Sequence, residues 1–327
     1  MEVLVPYGDA LAQSIQEILG DEAKVVRSRR TAEAMLENGR NAAVIASGRV
    51  PGDFIRNAPK LKMIQSFGAG VDKIDHEAVL ERGDIIVCNS RINSEEVAEY
   101  AIALLLSLAK NVVQSDGELR KGSWKYGWGG ERPNIELRGK KCLILGLGRI
   151  GSAIAQRLDA FGMTLYAATR SGESSLFATI EDTVTPREME PLVREADFVI
   201  LSLPLTADTE GLVDNEFLSW MKPPSLLVNV ARGSIVDEAA LYEALSAQRI
   251  AGAAIDVWWR YPPKFRNDDF HPSEFPFHEL KNVIMSPHRA AYSEKTERDQ
   301  IKFAGENILR FVRGETPLNV VDMKRGY

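Results

Sequence analysis

The feature of this sequence that most limits its possible folds is the alternation of short β-branched runs with helical segments. The first part of the chain alternates helices predicted over 10–19, 31–36 and 75–82 with the runs EVLVP, KVV, AAVIAS, KMIQSF and DIIVCN. Strands that alternate with helices build a parallel sheet covered by helices. A long apolar helix, predicted from residue 93 or 94 to 110, closes this first series.

A second alternating series follows an irregular segment. Residues 116–139 are rich in Gly, Trp and Arg without a clear period, and we interpret them as a crossing segment or arm. The second series contains six strand-like runs, KKCLILG, TLYAAT, DFVILSL, SLLVNVA, IAGAAIDV and NVIMSPH, with helices predicted from 150 and over 187–194, 215–220 and 238–246. Two series imply two α/β units. The last predicted helix, about 294–313, can return to pack on the first unit.

Composition excludes several classes of protein. Hydrophobic residues at 45% and charged residues at 26% are ordinary values for a globular chain, and 327 residues suit about two domains. The net charge of −6 argues against nucleic acid or an anionic membrane surface as a partner. The N-terminus lacks the pattern of a signal peptide, and Cys88 and Cys142 suit a reducing compartment. We expect a cytoplasmic protein with no membrane span and no metal site.

A dinucleotide-binding pattern, Gly146-Leu147-Gly148-Arg149-Ile150-Gly151, opens the second series. The G-x-G-x-x-G spacing alone is weak, but here it follows the apolar strand CLIL and begins a helix, which is the context that the motif requires. The glycines permit a tight turn and the close approach of a pyrophosphate, which the amide groups of the helix N-terminus face. A merely glycine-rich turn is the alternative interpretation.

The next predicted strand indicates which nicotinamide nucleotide is bound. In NAD-binding proteins an acid about 20 residues further on binds the ribose hydroxyls. This strand instead ends Ala168-Thr169-Arg170-Ser171. An arginine between two hydroxyls suits the 2′-phosphate of NADP through charge-assisted hydrogen bonds. NADP is therefore favoured and NAD remains possible, with an exposed loop arginine as the alternative interpretation of Arg170.

Seven ordered motifs resemble the D-isomer-specific 2-hydroxyacid dehydrogenase family over nearly the whole chain. They are SFGAGVD (66–72), NSEEVAEYAIALLLSLAK (93–110), LRGKKCLILGLGRIG (137–151), LSLPLTADTEGLVD (201–214), NVARGSIVDEAAL (229–241), GAAIDVW (252–258) and MSPHRA (285–290). The resemblance implies an α/β protein of two doubly wound parallel-sheet domains with the active site in the cleft between them. A flavodoxin-like substrate domain would comprise 1–100 and 290–327, and a Rossmann cofactor domain 101–289. The family resemblance also implies a homodimer built mainly by the cofactor domain.

The resemblance assigns the chemistry to two residues. His288 matches the histidine that gives a proton to the carbonyl oxygen during reduction and takes it back during oxidation. Histidine suits this role because its ordinary pKa of about 6.5 leaves both forms available near neutrality. Arg232 resembles the arginine that grips the substrate carboxylate with a planar, bidentate fork. Without the surrounding motifs, a structural histidine and an exposed arginine would be the simpler interpretations.

The resemblance also assigns binding residues by position. Backbone N–H groups of Ala69 and Gly70 would bind the other side of the carboxylate, and Asn93 would line the substrate site or cap the helix that follows it. Asp256 matches the acid that contacts the nicotinamide carboxamide, although an aspartate at a strand end is also a common turn residue. Other residues assigned to the cofactor, beside the fingerprint and His288, are Leu203, Pro204, Thr209, Val230 and Ala231.

The sequence departs from the family pattern five residues after Asp256. Most members have a Glu there, which hydrogen-bonds the catalytic histidine, whereas this chain has Tyr261. Formate dehydrogenases also lack that Glu. An irregular, proline-rich segment at 261–279 is typical of a functional loop, and its Glu274 is the alternative partner of His288. We expect Tyr261 to face the ring because its offset from Asp256 matches the family position.

These residues predict an NAD(P)-dependent oxidoreductase that transfers a hydride between the nicotinamide and a small D-2-hydroxy or 2-oxo acid, of the glyoxylate or hydroxypyruvate type. One alternative is a formate- or phosphite-type dehydrogenase, which the missing Glu favours. The other is a non-catalytic, cofactor-sensing protein similar to the corepressors of this superfamily. The presence of His288 and Arg232 argues against this second alternative.

Overall fold

The computed structural model describes residues 1–173, 180–262 and 269–327. It divides the chain into two compact units. The first comprises Met1–Asn93 and Tyr292–Tyr327, and the second comprises Ser94–Ala291. Each unit contains one parallel sheet, which confirms the predicted fold class of two α/β sheets.

The first unit is a five-stranded parallel sheet in the order β2-β1-β3-β4-β5. Its strands are β1 (Glu2–Val5), β2 (Lys24–Arg27), β3 (Val44–Ala46), β4 (Met63–Gln65) and β5 (Ile86–Cys88). Its helices are α1 (Asp9–Leu19), α2 (Ala32–Gly39), α3 (Gly52–Asn57), α4 (His76–Arg82) and α11 (Glu294–Val312). This strand order is that of flavodoxin-like folds. Helix α11 packs on α1 and β4, as expected for a chain end that returns to the first unit.

The second unit is a seven-stranded parallel sheet in the order β12-β11-β10-β9-β6-β7-β8. Its strands are β6 (Lys141–Leu145), β7 (Thr164–Ala168), β8 (Ile180–Val184), β9 (Phe198–Leu201), β10 (Leu226–Asn229), β11 (Gly252–Ile255) and β12 (Val283–Met285). Its helices are α5 (Ser94–Ala109), α6 (Val112–Leu119), α7 (Arg149–Ala160), α8 (Glu190–Glu195), α9 (Asn215–Trp220) and α10 (Glu238–Ser246). The order is that of a Rossmann sheet with one added strand.

Four features differ from the sequence-based expectation. Helix α3 was not predicted because its six residues are too few to show an apolar period. Strand β8 was not predicted because it carries Glu181 and Asp182 at the edge of the sheet and so lacks an apolar run. Helix α6 was not predicted because none of its residues is buried, and an unburied helix has no apolar period. The boundary between the units precedes α5, whereas the expected boundary at residue 100 lies within it. Helix α5 packs on α7, β10 and β11 and therefore stays whole in the second unit.

The register of the seven-stranded sheet places the ends of six strands in one row. In order across the sheet these ends are Ala168, Leu145, Leu201, Asn229, Ile255 and Met285. We call this row, with the loops that leave it, the carboxyl edge. The loops contain the dinucleotide fingerprint, the β7 tip, Arg232, Asp256 and His288. Ligands of open α/β sheets bind at this edge, so the predicted residues lie where such a sheet holds its site.

No helix within the described ranges is long and apolar enough to cross a membrane. Cys88 and Cys142 are both free and buried. Burial raises the pKa of the Cys88 thiol to about 11 and also raises that of Cys142. Both thiols are therefore protonated near neutrality, and we expect them to be unreactive.

Candidate active site

Each glycine of the turn between β6 and α7 meets a different requirement. Gly146 has a φ of +91°, and a Cβ on it would lie 2.8 Å from the Cα of Leu203. A Cβ on Gly151 would lie 2.0 Å from the carbonyl oxygen of Gly146, so only glycine permits this contact between helix and turn. Nothing lies within 4 Å of a Cβ placed on Gly148, which is exposed. The open space over Gly148 fits the close approach of a pyrophosphate.

The first turn of α7 suits a phosphate group. The N-cap is Gly148, which has no side chain that could occupy the helix N-terminus. The first turn that follows contains no acidic residue. The first N–H groups of a helix, here from Arg149 onward, have no carbonyl partner within the helix, and the helix dipole places partial positive charge there. The residues present therefore fit the pyrophosphate of a dinucleotide.

The tip of β7 closes as a tight turn. The Thr169 hydroxyl donates to the carbonyl of Glu173 at 3.1 Å, and the Gly172 N–H donates to the carbonyl of Thr169 at 3.2 Å. Arg170 and Ser171 are exposed. Thus Arg170 and Ser171 lie at the surface as a 2′-phosphate site would require, whereas the hydroxyl hydrogen of Thr169 is used within the turn.

The loop after β9 is also closed by a threonine. The Thr209 hydroxyl donates to the carbonyl of Pro204 at 2.7 Å and accepts the N–H of Thr206 at 2.8 Å. The Ser202 hydroxyl donates to the carbonyl of Gly146 at 2.7 Å, which joins this loop to the fingerprint turn. Thr209 therefore shapes the loop that carries Leu203 and Pro204, and Ser202 is a positioning residue that the sequence analysis missed.

The loop that carries Arg232 is braced by a buried amide. Asn229 is 2% exposed; its Oδ1 accepts the N–H of Ala231 at 3.0 Å and its Nδ2 donates to the carbonyl of Arg232 at 3.0 Å. A Cβ on Gly233 would lie 2.3 Å from the carbonyl carbon of Trp258, so this loop and the loop after β11 are in contact. Arg232 is half-buried, and Val230 and Ala231 are buried. Asn229 was not singled out, although a polar residue that ends the apolar strand LLVN was the available signal.

His288 and Tyr261 are brought together as predicted. The Nδ1 atom of His288 lies 2.8 Å from the hydroxyl oxygen of Tyr261. That oxygen also accepts the backbone N–H of Trp258 at 3.1 Å. Because a phenol has one donor and two acceptor sites, its remaining groups can donate to a neutral Nδ1 or accept from a protonated one. The pair can therefore keep its hydrogen bond in both protonation states of the ring.

Glu274 is not the partner of His288. Its side chain is exposed, and its backbone N–H donates to Oε1 of Glu238 at 2.8 Å. The Ser273 hydroxyl donates to the same carboxylate oxygen at 2.6 Å. These two bonds anchor the segment on the first turn of α10, and in the part of the chain that the structure describes no hydrogen bond or ion pair joins Glu274 to His288. The alternative assignment of Glu274 is thus wrong.

Asp256 makes contacts within the protein that the sequence did not indicate. It directly follows β11, is 1% exposed, and accepts hydrogen bonds from the Ser286 hydroxyl and from the N–H groups of Arg289 and Ala290. Its carboxylate is therefore directed at the loop after β12. The contact of Asp256 with the nicotinamide carboxamide stays a prediction.

In the first unit, hydrogen bonds engage carbonyl groups of the loop that carries Ala69 and Gly70. The carbonyl of Gly68 accepts the N–H of Ser90 at 3.0 Å, and that of Ala69 accepts Nδ2 of Asn89 at 2.8 Å. Within the described ranges no hydrogen bond engages the N–H of Ala69 or Gly70. Two such N–H groups suit an anion. Asn93 is half-buried and directly precedes α5.

Comparisons with known proteins agree with this geometry. A family model described as "D-isomer specific 2-hydroxyacid dehydrogenase, NAD binding domain" matches residues 102–290. Glyoxylate reductase of Thermococcus litoralis is 34% identical over 284 residues, which cover 85% of this chain and 82% of that protein. D-3-phosphoglycerate dehydrogenase of Methanocaldococcus jannaschii is 36% identical over 96% of this chain, which spans 58% of that longer protein.

A solved structure extends the likeness to the whole chain. It is that of an NADPH-dependent glyoxylate/hydroxypyruvate reductase from Sinorhizobium meliloti in complex with NADP and malonate. It matches with a TM-score of 0.81 and 32% identity, and the match covers 99% of this chain and 98% of that one. Both units therefore have counterparts in a single related chain.

Proposed function

Because the chain belongs to the D-isomer-specific 2-hydroxyacid dehydrogenase family and is an NAD(P)-dependent hydroxyacid oxidoreductase, we propose that its substrate is a small 2-oxo acid of the glyoxylate or hydroxypyruvate type. The observation that carries this proposal is the carboxyl edge itself. One row of strand ends carries the fingerprint turn, the braced Arg232 loop and the His288–Tyr261 pair. Glyoxylate reductases among the relatives support the small substrate.

In the proposed mechanism, different residues of this chain transfer the proton, orient the histidine ring and bind the substrate carboxylate. A bound nicotinamide supplies or accepts the hydride. In reduction, His288 gives a proton to the carbonyl oxygen, and the Tyr261 hydroxyl at Nδ1 keeps the ring oriented as its charge changes. Arg232 holds the substrate carboxylate through its planar fork and draws electron density from the adjacent carbonyl.

A substrate panel tests the proposed function. Glyoxylate, hydroxypyruvate, pyruvate and 3-phosphohydroxypyruvate are assayed for reduction, and formate and phosphite for oxidation, with both nicotinamide cofactors. We expect the highest kcat/KM for a 2-oxo acid of two or three carbons. Turnover of formate or phosphite alone would contradict the proposal. Cofactor binding without any turnover would instead favour a cofactor-sensing protein.

Cofactor preference is expected to depend on Arg170. The exposed Arg170 and Ser171 support the use of NADPH over NADH. Arg170→Ala should reduce the NADPH preference in kcat/KM by about 10- to 150-fold, since a hydrogen bond to a charged group contributes roughly 1.5–3 kcal/mol. Arg40→Ala, which removes an exposed arginine from the first unit, is the matched control and should leave the preference unchanged. A preference of the unmodified protein for NADH would contradict this assignment.

We also propose a two-fold homodimer. Five large apolar side chains of α6 and the arm after it are more than half exposed, namely Val112, Val113, Leu119, Trp124 and Trp128. A concentration of exposed large apolar side chains in one segment is typical of an interface, and two-fold dimers are the commonest closed assembly. Light scattering should give twice the chain mass of 36.2 kDa. The variant V113D/W128S should give the single-chain mass, whereas Leu80→Asp, a control at a 46% exposed leucine, should remain dimeric. A single-chain mass for the unmodified protein would refute the dimer.

A further inference from the structure

The backbone of His288 adopts a conformation that a histidine rarely adopts without support. Its φ is +53°, in the left-handed region. For residues with a side chain this region is unfavourable by roughly 1–2 kcal/mol, and it persists where the surrounding structure imposes it. The neighbouring residues must therefore hold this turn in place.

One buried carboxylate binds the chain on both sides of His288. Two consecutive N–H groups just after the histidine, those of Arg289 and Ala290, donate to Oδ1 and Oδ2 of Asp256 at 2.9 and 3.0 Å. Two residues before the histidine, the hydroxyl of Ser286 donates to Oδ1 of the same carboxylate. The carbonyl of Ser286 is fixed as well, by the indole N–H of Trp258 at 2.8 Å. His288 is thus the middle of a five-residue turn tied to a single side chain.

A third residue extends this network into α5. The hydroxyl oxygens of Tyr100 and Ser286 are 2.9 Å apart. Since the single hydroxyl hydrogen of Ser286 is directed at Asp256, the Tyr100 hydroxyl must be the donor to Ser286. The bonds therefore run in one direction, from Tyr100 through Ser286 to the carboxylate. In surroundings of low polarity, such a chain is cooperatively strengthened.

We propose that Asp256, Ser286 and Tyr100 form a positioning group that imposes the left-handed conformation of His288 and so fixes the direction of its imidazole. The proposal rests on the proton-transfer role given to His288 above. It assigns Asp256 a task within the protein, apart from the contact with the nicotinamide that the family resemblance implies. Three donors converge on this side chain, and a carboxylate accepts all three because it has no hydrogen of its own. An asparagine at this position would turn an NH₂ group toward one of the donors.

The test compares three variants, Asp256→Asn, Ser286→Ala and Tyr100→Phe. The amide hydrogen exchange of residues 289 and 290 is measured by NMR, together with kcat for the 2-oxo acid and Kd for NADPH. In Asp256→Asn we expect faster exchange at both amides and a fall in kcat of about 10- to 150-fold, as for a lost charged hydrogen bond, with Kd for NADPH within about twofold. Ser286→Ala should have a smaller effect, and Tyr100→Phe should add nothing in the Ser286→Ala background because both act through one chain.

A control separates this positioning role from a general loss of stability. Asp197 precedes β9 at the other end of the strands, where it accepts the N–H of Lys141 at 2.9 Å and pairs with Lys222 at 2.9 Å. Asp197→Asn should lower the unfolding temperature without changing kcat or the exchange at 289 and 290.

The outcomes that would overturn the proposal are distinct from failure of the proposed function. A raised Kd for NADPH with unchanged exchange at residues 289 and 290 in Asp256→Asn would make Asp256 a cofactor contact only. If Asp256→Asn does not fold, the two milder variants decide, and unchanged exchange in both refutes the positioning group. If the unmodified protein reduces no 2-oxo acid, the proposed function fails, while the exchange measurements still test whether the group holds the turn.

Discussion

Replacing His288 with glutamine should lower kcat for reduction of the 2-oxo acid by about 10²- to 10⁴-fold, the usual contribution of a positioned general acid. Glutamine keeps a polar side chain but cannot supply a proton near neutrality. Because binding of NADPH depends on the fingerprint turn, its Kd should change little. Single-turnover kinetics at saturating NADPH measure the step directly. His278→Gln, at an exposed histidine of the same unit, is the matched control and should retain full activity.

Tyr261, which contacts the His288 ring, allows a second test of the role of this histidine. Tyr261→Glu places a carboxylate in contact with Nδ1, which should stabilise the imidazolium and raise the pKa of His288. Since the protonated ring donates in reduction and the neutral ring accepts in oxidation, the basic limb of the reduction profile and the acid limb of the oxidation profile should both move to higher pH. An unchanged profile in a folded Tyr261→Glu, with His288→Gln still inactive, would show that position 261 does not tune the histidine. More than a tenth of the activity in His288→Gln would remove His288 from the proton transfer.

Replacing Arg232 with lysine should lower kcat/KM for the 2-oxo acid by about 10- to 150-fold. Lysine keeps the charge but loses the planar fork, and a hydrogen bond between charged groups contributes roughly 1.5–3 kcal/mol. Asn229 and Gly233 fix the backbone around this residue, so a lysine side chain has little freedom to compensate. The measurement is the ratio of kcat/KM between variant and unmodified protein.

An uncharged substrate separates carboxylate binding from other effects of this change. For a 2-oxo amide such as pyruvamide, Arg232→Lys should have little effect. An amide has no carboxylate, so it does not form the bidentate ion pair with Arg232 even in the unmodified protein. Arg260→Lys, at an exposed arginine of the same unit, is the matched control. An equal loss with acid and amide would show that Arg232 does not bind the carboxylate.

The local pattern of the sequence was sufficient to predict which candidate residues the fold brings to one edge of the second sheet. Each predicted residue of the second unit follows an apolar run that forms a strand, and parallel strands bring such ends to one edge. The fingerprint glycines could be read from their spacing, whereas Tyr261 was expected beside the histidine because of the family resemblance. Strand β8 and helix α6 could not be read, because neither buries a regular apolar face.

The sequence could not predict which polar groups hold the site together. Tyr100 and Ser286 are 186 residues apart, and Asp256 and Ala290 are 34 apart, so only the fold brings them into contact. Thr169 and Thr209 fit a ligand by position, yet each donates its hydroxyl hydrogen to a carbonyl of its own loop. The choice between Glu274 and Tyr261 depended on an irregular segment whose path no periodicity specifies.

Because cofactor preference and substrate chemistry depend on opposite ends of the row of strand ends, selectivity for the cofactor should be independent of selectivity for the substrate. From β7, which carries Arg170, to β12, which carries His288, the sheet order crosses five neighbouring pairs of strands. At about 4.8 Å for each pair, the two ends are roughly 24 Å apart, well beyond the range in which substitutions usually couple. Free-energy changes at the two ends should therefore add. A variant with altered cofactor preference can be combined with any substrate-site variant, in either order, and each keeps its effect.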